Sequence, residues 1–157
     1  VSDPSPLTRP NAHLDSPVIE LASSADDSAF AAMMAELIRQ NLSDHPHKRA
    51  DFAAMQGRVA LVAEDAEQTI TLHFRGGQLR VHNGLFGIPD LVIRGSSENL
   101  IDLSRLPPNP RFKFLPDVRS DVARALARAL VSRQLRITGL GSHLLLAHRL
   151  SNVMSIH

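Results

Sequence analysis

From Thr69 to Arg75 apolar and polar side chains alternate, Ile70, Leu72 and Phe74 on one side and Thr71, His73 and Arg75 on the other. A period of two is the mark of a half-buried strand. Gly76-Gly77 suits a two-residue hairpin turn, which sets the register with Gln78–Asn83. Phe74 then faces Leu79 and Leu72 faces Val81, while Arg75 faces Gln78, His73 faces Arg80 and Thr71 faces His82. A slip of one residue would spoil both faces at once, so the register checks itself. Upstream, Arg58–Glu64 is apolar on both faces, as in a central strand. Downstream, Leu91–Arg94 and Leu135–Thr138 predict two more strands.

Elsewhere the period is helical. Phe30, Met33, Met34, Leu37, Ile38 and Leu42 share a face, predicting a helix over Ser28–Leu42 capped by Asp26 or Asp27. Pro46 suits the start of a short helix over His47–Met55. Ser96 or Ser97 caps a helix reaching Leu106, and Pro107-Pro108-Asn109-Pro110 then breaks the chain. Phe112, Phe114 and Leu115 lie on a connector ending at Pro116. Asp117 opens an arginine-studded helix to Arg133, with Val118, Val122, Leu126, Ala129 and Leu130 inward and Arg119, Arg124 and Arg128 mostly outward. Gly139-Leu-Gly-Ser142 makes a turn, with Ser142 as cap, into an apolar helix over His143–Ile156 that needs a surface to bury it. Glycine-rich Gly84-Leu-Phe-Gly-Ile-Pro89 is a loop carrying three large apolar side chains. The order of elements predicts an α+β fold rather than a doubly wound sheet.

A length of 157 residues fits one domain with a real core. The first 25 residues hold four prolines and many small polar residues. They predict a flexible arm over 1–25, with a single domain over 26–157. Val18-Ile19-Glu20-Leu21 is the one apolar piece of the arm; it is read as part of a solvated tail, with pairing to a sheet edge or to a neighbouring molecule as the alternative. Cysteine is absent, which excludes disulfides and thiol catalysis. The longest apolar runs, Val59–Ala63 and Leu144–Ala147, fall far short of the ~20 residues of a membrane span. With no apolar leader-like segment at its start, the chain is expected in the cytoplasm. The net charge of +1 hides an asymmetry: residues 1–67 carry 5 basic and 11 acidic side chains, residues 68–157 carry 12 and 5. The basic half suits an anionic membrane, acyl-CoA phosphates or an acidic partner, and the plainer reading is a solvated arginine-rich surface.

Motifs for catalysis fail one by one. Gly139-Leu-Gly141-Ser-His-Leu144 follows a strand and opens a helix, but Leu144 fills the third glycine position and no ribose-binding acid can follow. Ser142-His143 lacks the Gly-x-Ser-x-Gly elbow. The eight histidines do not reach ligand spacing: His73 and His82 are diagonal on the hairpin, and His143 and His148 are five apart. Glu64, Asp65 and Glu67 cluster at a turn, where solvated charges belong. Without Trp or Tyr, stacking platforms for nucleic acid are scarce. No enzyme activity, cofactor, metal or nucleic-acid partner is therefore expected. What remains is an excess of bulky, flexible apolar residues near loops and at the terminal helix, each ordinary core filler taken singly.

Gly57-Arg-Val-Ala-Leu-Val-Ala-Glu64, Thr69–Arg75, Gly77-Gln-Leu-Arg-Val81, Pro89-Asp-Leu-Val-Ile-Arg-Gly-Ser-Ser-Glu-Asn-Leu100 and Leu135-Arg-Ile-Thr-Gly139 occur in this order before an apolar helix. Taken together, over about residues 28–156, the chain resembles the sterol carrier protein type-two family. The resemblance implies a five-stranded mixed sheet covered on one face by helices, with an apolar tunnel for fatty acyl, sterol-like or isoprenoid lipids and no catalysis. Leu72, Phe74, Leu79 and Val81 would form the sheet-side wall, Met34 and Leu37 the first-helix side, and Phe86, Leu146, Leu150 and Met154 the mouth and lid. Two departures stand out. The chain ends Ser155-Ile-His157, not in a peroxisomal tripeptide. It also carries an additional segment over 107–133, resembling longer bacterial lipid carriers that include accessory proteins of quinone biosynthesis. That segment would cap the tunnel, dock a lipid-metabolising enzyme or touch a membrane peripherally through the helix 117–133. The competing reading is a ligand-free interaction subunit of a lipid or quinone biosynthetic assembly.

Overall fold

The hairpin forms as its alternation dictates. Strand β3 (Gln68–Arg75) pairs antiparallel with β4 (Gln78–Asn83), placing Leu72 opposite Val81, His73 opposite Arg80 and Phe74 opposite Leu79. Gly76 and Gly77 turn the chain with φ of 51° and 85°, a region open to glycine and costly for other residues. In this computed structural model, residues 16–105 and 121–156 are described. Strand β2 (Gln56–Ala63) lies inside the sheet between β3 and the parallel strand β5 (Leu91–Gly95), as its two apolar faces require. Strand β6 (Leu135–Thr138) closes that edge antiparallel to β5.

At the other edge the expectation of five strands is corrected to six. Val18–Leu21 forms β1, parallel to β4, and the sheet order is β1-β4-β3-β2-β5-β6. Ile19 and Leu21 pack against the core, while Glu20 stands opposite Arg80 with its carboxylate 3.1 Å from the guanidinium. The part of the expected arm over 18–25 is thus in the sheet and in a short 3-10 turn, Ser23–Ala25; residues 1–15 lie outside the described residues.

One face of the sheet is apolar. Val59, Leu61 and Ala63 of β2, Ile70, Leu72 and Phe74 of β3, Leu79 and Val81 of β4, and Leu91 and Ile93 of β5 are buried there under helices. Helix α1 (Ala29–Asp44) contributes Ala31, Met34, Ala35, Ile38 and Leu42 to that core. Its cap is Ser28, whose hydroxyl accepts from the Ala31 amide at 3.2 Å, and not Asp26 or Asp27. Ser28 is the residue that precedes the helical stripe directly, so its short side chain reaches the third helical amide. Met33 faces away from the core, because the buried stripe runs through the two alanines instead.

Pro46–Lys48 is a single 3-10 turn leading into α2 (Arg49–Ala54). Ser96 caps α3 (Ser97–Ser104) through the Asn99 amide. Asp65, expected to be merely solvated, accepts from the amide and hydroxyl of Ser97, and these bonds hold its carboxyl below the usual range.

Helix α4 (Asp121–Val131) turns Val122 and Ala129 to the core and Arg124 and Arg128 outward, as expected, but it also buries Ala123 and leaves Leu130 exposed. The proline run over 107–110, Phe112, Phe114, Leu115 and the helix start at Asp117, with Val118 and Arg119, lie outside the described residues. Helix α5 (Leu144–Met154) begins at His143 with no side-chain cap, which removes Ser142 from that role. Gly139 governs the turn instead: its φ is 93°, and a Cβ there would stand 2.2 Å from the Asp90 carbonyl oxygen.

Candidate functional site

The apolar interior has two walls. Leu72, Phe74, Leu79 and Val81 project from the sheet at its inward register positions, and all are buried. Met34, Leu146, Leu150 and Met154 come down from α1 and α5 into the same cluster. Phe74 meets Phe52 of α2 edge-on, the rings 6.1 Å apart. Gly57 has no side chain where Leu146 arrives: a Cβ there would lie 3.0 Å from a Leu146 methyl. Leu37 is only partly buried, packing on the core while also lining a surface cleft of about 560 Å³ beside Met33, Asn41 and Ile156. Eight of the ten expected lining residues are therefore together and buried, and Leu37 stands at their margin.

Phe86 is not with them. The loop after β4 crosses the other face of the sheet, where the Phe86 amide donates to the Thr71 hydroxyl at 3.0 Å. Its ring lies flat on His82, 3.7 Å between centroids, with His73 at 6.0 Å and the Arg58 guanidinium 5.9 Å above. Thr71, His73 and His82 occupy outward positions, so the sheet separates Phe86 from Leu146, Leu150 and Met154. A glycine-rich loop gave no periodicity to reveal which face it would cross.

Helix α5 is tied at its C-terminal end by residues that pattern reading did not find. Asn41 Nδ2 donates to the carbonyls of Val153 (3.2 Å) and Met154 (2.7 Å), and the Lys48 ammonium donates to that of Ser155. These carbonyls would otherwise be orphans of the helix end, and a cation there also matches the helix dipole. Burial pushes the Lys48 ammonium below its ordinary value of 10.5. Asp51 accepts from Asn152, and the Ile156 amide donates to Ser104 at 2.9 Å. At the opposite end His143 Nε2 stands 3.4 Å from Asp90 Oδ1, while Leu144 and Leu145 are 65% and 60% exposed.

Asp90 is a junction. Its other carboxylate oxygen accepts from the Arg58 amide at 2.8 Å, and its own amide donates to the Arg58 carbonyl at 2.8 Å. It thus joins the outer loop, β2 and the turn before α5. Among the described residues no three His, Asp or Glu side chains are grouped to hold a metal ion, and no helix is long and apolar enough to cross a membrane.

No family model matches the sequence, and no curated protein matches it. Solved structures do. A UbiJ-SCP2 ubiquinone synthesis protein aligns over 80% of this chain and 92% of its own, at 14% identity and a TM-score of 0.56. Sterol carrier protein 2 aligns over 78% and 91%, at 15% identity and a TM-score of 0.47. The sec-alkylsulfatase Pisa1 from Pseudomonas sp. aligns over 69% of this chain but 14% of its own, at 16% identity and a TM-score of 0.47. At such identities the likeness is one of architecture. The chain has a sterol-carrier-protein-2-like α+β fold.

Proposed function

We propose that the protein binds and carries a hydrophobic lipid, without catalysis, in the space between its sheet and its helices. The observation that carries this reading is the two-walled interior. Leu72, Phe74, Leu79 and Val81 face Met34, Leu146, Leu150 and Met154, and no inward position of β2 to β5 bears a charge. A hydrocarbon chain admitted there gains ~0.8 kcal/mol per buried methylene, so affinity needs no further motif. Helix α5 is the lid in this reading. Asn41 and Lys48 hold its C-terminal end as a pivot beside Leu37, and the end near His143 swings out to open the interior where Leu146 meets Gly57.

The candidate cargoes are fatty acyl, sterol-like and isoprenoid or quinone-precursor lipids. The likeness to a ubiquinone synthesis protein favours the last class, and with it a lipid-metabolising enzyme as partner. The working place is the cytoplasm, beside the membrane that supplies the lipid.

Native mass spectrometry of the protein purified from its own host, with organic extraction of any adduct, tests the reading. A discrete lipid mass supports it and names the class. A clean apo mass, with no uptake of added acyl chains or quinones, overturns it in favour of a ligand-free interaction subunit. Deleting residues 144–157 tests the lid: retained folding together with retained uptake would remove α5 from that role.

A further inference from the structure

The outward face of the sheet is strongly basic, and the β4–β5 loop lies across it. Arg58, His73 and Arg80 stand side by side over three strands, and Arg94 stands directly opposite Arg136 on the next two. Like charges placed directly opposite on a sheet repel. Glu20 offsets Arg80 at 3.1 Å and Glu64 offsets Arg94 at 3.7 Å, but Arg75 and Arg136 are exposed with no acidic partner among the described residues. From the middle of this field rises the loop 84–90. Phe86 anchors it on His82, and Arg58 Nε and His82 Nε2 beneath it are buried without a hydrogen-bond partner in the protein. Beside the anchor, Leu85 is 67% and Ile88 85% exposed.

Protruding aliphatic tips inside a spread of guanidinium groups match one kind of surface. We propose that this face docks on an anionic lipid bilayer, with Leu85 and Ile88 entering the headgroup boundary and the outward arginines meeting lipid phosphates. Peripheral attachment takes two signals, apolar insertion and basic charge, and both are present here. A protein partner of ordinary interface size would need an apolar centre far larger than two side chains. The arginines of α4 fit less well: Arg124 is already 3.2 Å from Asp121, and the Arg128 Nε donates to a carbonyl of its own helix. Because the docking face is the one turned away from the candidate lipid interior, the two proposals stand or fall separately.

Vesicle flotation with the full-length protein tests the docking. Binding is expected to phosphatidylcholine mixed with phosphatidylglycerol, not to phosphatidylcholine alone, and to weaken as salt rises. Leu85→Asp with Ile88→Asp should lower the partition coefficient roughly tenfold or more, as expected for two lost apolar insertions. Arg75→Gln and Arg136→Gln should each lower it roughly fivefold. Arg128→Gln on α4 should leave it unchanged. Thermal unfolding and lipid content by native mass spectrometry serve as folding controls and should not move. The proposal is overturned if the protein ignores anionic vesicles, or if the loop and sheet variants float like the parent while Arg128→Gln does not. Retention on polyglutamate-coated beads, lost with the arginine variants but with no vesicle binding at all, would assign the face to an acidic protein instead.

Discussion

The two faces of the sheet are built from the same strands and follow opposite rules. On β3, Ile70, Leu72 and Phe74 go inward and are buried, while His73 and Arg75 between them go outward. The inward face is held by shape: side chains fill a space bounded by α1, α2 and α5. The outward face is held by a few specific contacts, chiefly the Phe86–His82 stack and the Thr71 hydroxyl, which accepts from Phe86 and donates to Gly84. Stability should therefore concentrate on one side and tolerance to change on the other.

Phe74→Ala is the sharpest test of that division. It should cost about 4 kcal/mol in urea unfolding, the usual range for a buried aromatic, while its neighbour Arg75→Ala should stay within about 0.5 kcal/mol. Equal losses would break the comparison. The next largest effect lies at the joint between the faces, where Asp90 meets the turn before α5. Gly139→Ala should cost about 3 kcal/mol, because the backbone is left-handed there and the new Cβ meets a carbonyl. Gly141→Ala, two residues on with nothing within 4 Å of its Cβ position, should be close to neutral in the same measurement.

Phe86→Ala should lose about 1 kcal/mol, the worth of one aromatic stack, and so fall well below Phe74→Ala. The smallest effect is confined to acid. Burial first, and then nearby positive groups, lowers both imidazoles below their ordinary 6.5: Arg58, Arg75 and Arg80 act on His73 against a smaller opposing pull from Asp90, and His73, Arg80 and Arg58 act on His82. The unfolded chain therefore takes up these protons at higher pH than the folded one. Their contribution to stability is complete above pH 6.5 and is lost as pH falls through the lowered folded values. Unfolding curves compared from pH 7 downward should show the parent losing more stability than a His73→Gln/His82→Gln variant. Parallel curves would mean that the outward face carries no such strain.

Much of this was legible in the chain. The β3–β4 register followed from alternation and a two-glycine turn, both local, and the inward stripe of α1 from its helical spacing. The lining residues on β3, β4, α1 and α5 could be named because each belongs to a regular period. Phe86 could not be assigned to a face, since a loop has no period. Edge strand β1 was legible only as the alternative to a solvated tail, because four residues carry little signal and their partner lies some 60 positions away, in a parallel pairing that no turn announces. Asn41 and Lys48 escaped for a related reason: polar residues on or beside helices look solvated until a distant helix end arrives with unpaired carbonyls.

By itself, then, the sequence determined what short-range physics can decide: which segments are strands or helices, which side chains share a face, and that the sheet has one oily side. Tertiary structure alone decided what depends on distant segments meeting. It brought β1 to the sheet edge, laid the Phe86 loop across the outward face and pinned the end of α5 on Asn41 and Lys48. Periodicity reports how a residue relates to its neighbours in the chain. The orphaned polar groups and open edges that draw distant segments together exist only once the elements have packed.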